Sequence, residues 1–171
     1  PTFQQYFSIK NDTLTYKNED VTSVFHFNGG DQQTFTFDTS HDPVRTVTLN
    51  GNAKLLNALK KFGTTSLFLD GTGDYMSVAS TTSYGFGTND FSIDFWIYPQ
   101  NTSAGVKTMI DFRTAEPEIR PAVILDGSTV KYYINGADVI SATNNLQAAQ
   151  WYHVALVKNG VQTKLYVNGT Q

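Results

Sequence analysis

Apolar and polar residues alternate with a period of two along much of the chain, the spacing of half-buried β-strands. The clearest run is Phe91-Ser92-Ile93-Asp94-Phe95-Trp96-Ile97, where Phe91, Ile93, Phe95 and Ile97 share one face and Ser92, Asp94 and Trp96 the other. Pro99 closes it, since proline brings no N–H to a ladder. Thr34-Phe35-Thr36-Phe37 alternates in the same way and puts both phenylalanines on one strand face, and Arg45-Thr46-Val47-Thr48-Leu49 repeats the pattern up to Asn50-Gly51. Further strands are predicted at 24–27, 66–69, 75–78, 108–112, 122–125, 129–134, 139–142, 151–157 and 164–167. Ala53, Leu56 and Leu59 are spaced nearly as on a helix, but the segment is short and stops at Phe62-Gly63. It is read as a loop with one helical turn.

Turn chemistry supports the strand series. Asn135-Gly136, Asn159-Gly160 and Asn168-Gly169 each follow a strand-like run, and Asn and Gly best tolerate the two positive φ angles of a type I′ hairpin turn. Some dozen short strands with almost no helix predict an all-β chain, a two-sheet antiparallel sandwich of the jelly-roll type. Residues 1–21 are polar and mixed and read as an N-terminal arm or attachment segment, with the sandwich at 22–171.

Composition narrows the function classes. The 171 residues carry 12 Lys and Arg against 15 Asp and Glu, a net charge of −3. That balance lacks the basic stripe that nucleic acids and anionic membranes demand, so neither is expected as a partner. Aromatics reach 13%, with 12 Phe and 9 Tyr, which suits a β-rich globular chain and not a disordered one. Cysteine is absent, which excludes a disulfide framework, thiol chemistry and Cys-ligated zinc.

Several motifs then occur in a specific order: Val24-Phe25-His26-Phe27-Asn28-Gly29, Gly51-Asn52-Ala53, and Lys61-Phe62-Gly63-Thr64-Thr65-Ser66-Leu67-Phe68-Leu69-Asp70-Gly71-Thr72-Gly73-Asp74-Tyr75. After them come Phe91–Pro99, Trp151-Tyr152-His153-Val154-Ala155-Leu156-Val157 and Leu165-Tyr166-Val167-Asn168-Gly169-Thr170. In this order they resemble the laminin-G-like branch of the concanavalin A-like lectin/glucanase superfamily, over about residues 22–171. The resemblance implies a jelly roll of two curved antiparallel sheets. It also implies a setting in phage fibre or appendage proteins, with secreted or surface bacterial proteins as the alternative. Members of that branch continue past the Tyr-Val-Asn-Gly-Thr turn with further strands, so the jelly roll is expected to be incomplete at its C-terminus. Further residues of a longer polypeptide, or a neighbouring chain, would complete it; the first is favoured because an open sheet edge invites aggregation.

The function expected on this basis is a non-catalytic structural or adhesive module of a phage virion that binds host surface glycans. The alternative is a carbohydrate-binding module of a secreted or surface protein. Expected partners are other virion proteins, gripped by the arm, and further copies of the chain, a trimer being favoured.

Catalysis is weighed because the superfamily includes glycoside hydrolases. A retaining enzyme needs two carboxylates about 5–5.5 Å apart, whereas the strand at 91–97 offers only Asp94, and Glu116 and Glu118 flank Pro117 in a loop. His26, His41 and His153 form no HExxH arrangement, and no GxSxG elbow occurs. For sugar binding, Tyr84 and Phe86 in Ser83-Tyr84-Gly85-Phe86-Gly87, with Tyr98 and Tyr132, are candidate stacking rings; the competing reading has Phe86 plugging the core end and the tyrosines covering a sheet. For calcium, Asp31, Asp70 and Asp74 lie in Gly-rich turns that can converge hard oxygen ligands, although tight turns call for Asp and Gly in any case.

Overall fold

The computed structural model of the chain describes residues 7–10, 13–16, 21–40, 45–79, 84, 86–114 and 119–171. Its contacts divide it into two compact units, Pro1–Thr82 and Ser83–Gln171. Among the described residues every regular element is a β-strand and every ladder is antiparallel.

The first unit is built from three strand pairs: β1 (Phe7–Lys10) with β2 (Thr13–Tyr16), β3 (Val47–Asn50) with β6 (Tyr75–Val78), and β4 (Lys54–Leu56) with β5 (Ser66–Phe68). The expected helical turn near Ala53 is therefore a strand. Leu55 faces Leu67 across the β4–β5 ladder and is fully buried, while its N–H and C=O bond to Gln33 and Gln32. Burial with partners on both edges outweighs a weak helical spacing.

The segments at 24–27 and 34–37 also depart from expectation. They carry no regular ladder, and Phe27, at φ 54°, breaks the first. In the second the alternation survives inverted: Phe35 and Phe37 are 53% and 61% exposed, while Thr36, Asp38 and Ser40 are buried. The polar side is held inside by a hydrogen-bonded knot. Asp38 accepts from the N–H of Val24 (3.0 Å) and of Ser40 (2.9 Å) and from the Ser23 hydroxyl (3.0 Å). Arg45 Nη1 lies 3.2 Å from the same carboxylate and also donates to the Thr22 carbonyl. Burial pushes the Asp38 carboxyl up, but these hydrogen bonds together hold it below its ordinary value.

The second unit contains two sheets around one core. One has the order β11 (Ala137–Asn145), β10 (Thr129–Ile134), β9 (Ala122–Asp126), β8 (Val106–Asp111); the other has β13 (Gln162–Val167), β12 (Tyr152–Asn159), β7 (Phe91–Ile97). Val123, Leu125, Val130 and Tyr132 of the first sheet join Val154, Leu156, Leu165 and Val167 of the second in a buried cluster, with Phe91, Ile93, Phe95 and Ile97 packed against it. The face predicted for the 91–97 strand is thus its core face. Each fully buried aliphatic side chain contributes about 1.5–3 kcal/mol. This is the all-β sandwich expected from the alternation.

The three Asn-Gly turns all form. Asn135-Gly136 has both φ angles positive, 53° and 77°, as a type I′ turn requires. Asn168-Gly169 does the same at 50° and 77°, with Val167 and Thr170 bridged across it. The middle pair shifts by one residue. Asn159 is paired with Gln162, so Gly160-Val161 are the central residues, with positive φ only at Gly160 (59°). That is the type II′ pattern, and Asp90 fixes it by accepting the Gly160 N–H at 2.6 Å.

Candidate functional site

The aromatic candidates fall in three separate places of the second unit. Phe86 meets Phe91 and Phe112 edge-to-face, each at 4.7 Å between centroids, and Tyr84 meets the same Phe112 at 5.5 Å. Since Phe91 packs on the core, Phe86 sits at the core's end. Tyr98 lies 5.4 Å from Trp151. Tyr132 is a core residue, 6% exposed, and burial pushes its phenol pKa up. It is corrected from a stacking platform to a packing residue, because its strand turns it toward Val123 and Val130.

The expected calcium ligands do not assemble. Asp31 accepts the N–H of Asn57 at 2.9 Å. Asp70 accepts that of Thr72 at 2.7 Å, and Asp74 accepts those of Asp70 and Asn52 at 2.9 and 2.5 Å. Hydrogen bonding from the Asp70 backbone leads in holding the Asp74 carboxyl below its ordinary value. Among the described residues no three His, Cys, Asp or Glu side chains come together as a metal site. These carboxylates organise turns.

A different cluster forms on the four-stranded sheet, on the face opposite the core. Cross-strand register fixes its rows: Val106 opposite Asp126, then Thr108, Ile124 and Lys131, then Asp111, Ala122, Tyr133 and Asp138. Register shifts beside Met109 and Val139 carry Asp111 and Asp138 into the last row. The result is an open depression of about 480 Å³, lined by residues including Thr108, Arg113, Ile124, Asp126, Tyr133 and Asp138.

The polar groups in and beside it are tightly paired. Arg113 grips Asp111 through both arms of its fork, Nε to Oδ1 at 2.8 Å and Nη2 to Oδ2 at 2.7 Å, while its own N–H donates to Oδ1 at 2.9 Å. The guanidinium also lies 4.8 Å over the ring of Tyr133. Burial raises the Asp111 carboxyl pKa, but the hydrogen bonds and charge of Arg113 prevail and hold it low. Lys131 Nζ reaches Asp138 at 2.7 Å and Asp126 at 2.9 Å. Those two hydrogen bonds, Asp138 first, hold its pKa above the ordinary lysine value.

None of these residues was singled out from the sequence. Parity along β10 would have found two of them: Val130 and Tyr132 face the core, so Lys131 and Tyr133 face away from it. A smaller cluster occupies the non-core face of the other sheet, where Trp96 lies 5.2 Å from the His153 ring and His153 Nε2 is 3.4 Å from Asp94.

Comparison with known proteins places this sandwich. No curated protein and no solved structure matches the chain. A family model described as the Concanavalin A-like lectin/glucanases superfamily matches residues 70–171. That span begins inside the 22–171 suggested by the motif order, and it takes in β6 and both sheets of the second unit. The chain therefore belongs to the concanavalin A-like lectin/glucanases superfamily, through a laminin-G-like domain at residues 70–171.

Proposed function

We propose that the second unit is a non-catalytic glycan-binding module, that its depression between Val106 and Asp138 holds the sugar, and that the chain serves as an adhesive part of a phage fibre or appendage. The observation that carries the binding site is the meeting of an aromatic wall and hydrogen-bonding charges in one open depression: Tyr133 backed by Arg113, beside the Asp126–Lys131–Asp138 group. A pyranose offers an apolar C–H face to an aromatic ring and hydroxyls to carboxylates, and charge-assisted hydrogen bonds are the stronger ones. A volume near 480 Å³ falls within the range of small-molecule sites. Membership of a lectin/glucanase superfamily agrees with this chemistry.

The same geometry argues for binding without cleavage. A glycosidase acid needs a raised carboxyl pKa. Asp111, held by Arg113, is shifted the opposite way, and Asp126 and Asp138 are both ion-paired to Lys131.

The phage setting is supported by the motif order of residues 22–171, which resembles that branch of the family. Self-association and an attachment role for residues 1–21 belong to the same proposal. Two experiments test it. A glycan array probed with the chain and with Tyr133→Ala is expected to return hits that the variant loses; an array without hits overturns the binding role. Mass spectrometry of purified phage particles is expected to find the chain among the virion proteins. Its absence there would overturn the phage setting.

A further inference from the structure

The cations in and beside the depression are already paired. Arg113 is bound in bidentate fashion to Asp111, and the Lys131 ammonium is shared by Asp126 and Asp138. Among the described residues these pairs set two cations against three carboxylates. An anionic sugar recognised here would bring its own charge close to three carboxylates, beside cations whose charge those carboxylates already offset. A neutral sugar meets no such cost, because its hydroxyls donate to carboxylate oxygens that still carry free lone pairs.

We propose that the depression selects uncharged glycans, hexoses and their N-acetyl derivatives, and rejects uronates, sialylated and sulfated sugars. The selection resides in Asp111, Asp126 and Asp138, which neutralise the cations that would otherwise attract anions. This inference rests on the glycan-binding reading of the same depression.

The test uses the full chain on an array holding neutral, uronate, sialylated and sulfated glycans of matched length. Hits are expected among the neutral members only. The double variant Asp126→Asn/Asp138→Asn, which frees Lys131, is expected to raise binding of uronate or sialylated members roughly fivefold or more relative to neutral ones. A wild-type array dominated by anionic members overturns the selection while leaving glycan binding intact. An array with no hits overturns the glycan reading on which the selection rests. Should the double variant fail to fold, salt dependence decides with the wild type alone. Affinity that stays flat between about 0.05 and 0.5 M salt supports a neutral ligand, and affinity that falls steeply contradicts it.

Discussion

The guanidinium of Arg113 lies 4.8 Å over the ring of Tyr133 while both arms of its fork hold Asp111. One side chain thereby positions the aromatic wall of the depression and cancels the charge of a carboxylate next to it. Lysine cannot fill both roles at once, since it lacks the planar fork. Arg113→Lys is expected to weaken glycan binding roughly tenfold by releasing Tyr133. Isothermal titration of the two proteins with an array hit measures the difference, and Tyr133→Phe, which keeps the ring, should retain most of the affinity.

The second unit depends on the core between its sheets. Leu156 is fully buried on β12, opposite Leu165 and Ile93. Leu156→Ala leaves a cavity that the neighbouring strands fill only in part, and it is expected to cost about 2–5 kcal/mol. Urea denaturation followed by tryptophan fluorescence checks this.

Gly51 shows how a turn excludes a side chain. Its φ is +70°, and an added Cβ would collide with the Asp74 carboxylate and lie 2.9 Å from the Gly73 carbonyl oxygen. Gly71, at φ +86°, has open space around it. Gly51→Ala is therefore expected to destabilise by about 1–3 kcal/mol, and by clearly more than Gly71→Ala, which bears the backbone strain alone. Thermal melts of the two variants compare them directly.

Acid should unfold the chain from below the ordinary carboxyl range. Asp38 and Asp111 have folded-state pKa values lowered from 3.8, so the unfolded chain takes up protons first. Their stabilisation is fully present above pH 3.8 and is lost as pH falls through the lower folded values. Asp38→Asn should flatten that acid limb. It should also cost about 3–5 kcal/mol at pH 7, because it leaves the buried Arg45 opposite a neutral group. Denaturation at a series of pH values tests both parts.

The fold was largely legible because alternation and turn residues act locally. Phe91 to Ile97 reads correctly since its period-two face meets the core directly. Phe35 and Phe37 share one face as their alternation predicts, but no regular strand forms there, and that face is exposed because the Asp38–Arg45 knot holds the polar side inside. The site was far less legible. Tyr132 and Tyr133 are adjacent and chemically alike, and only the register of β10 against β9 decides that the first is core and the second faces the depression. Arg113 reaches that ring while holding Asp111, and Lys131 meets Asp126 and Asp138, through cross-strand register that a single sequence does not display.

The central claim is that the depression on the β8–β11 sheet is where glycan binds. Its most direct test is a titration of the isotope-labelled chain with a neutral oligosaccharide hit, followed by amide chemical shifts. The account predicts that the shifts concentrate at residues 106–113, 124–126 and 131–138, and that Tyr133→Ala abolishes them. Shifts centred instead on Tyr84 and Phe86, or on Trp96 and His153, and surviving Tyr133→Ala, would contradict it.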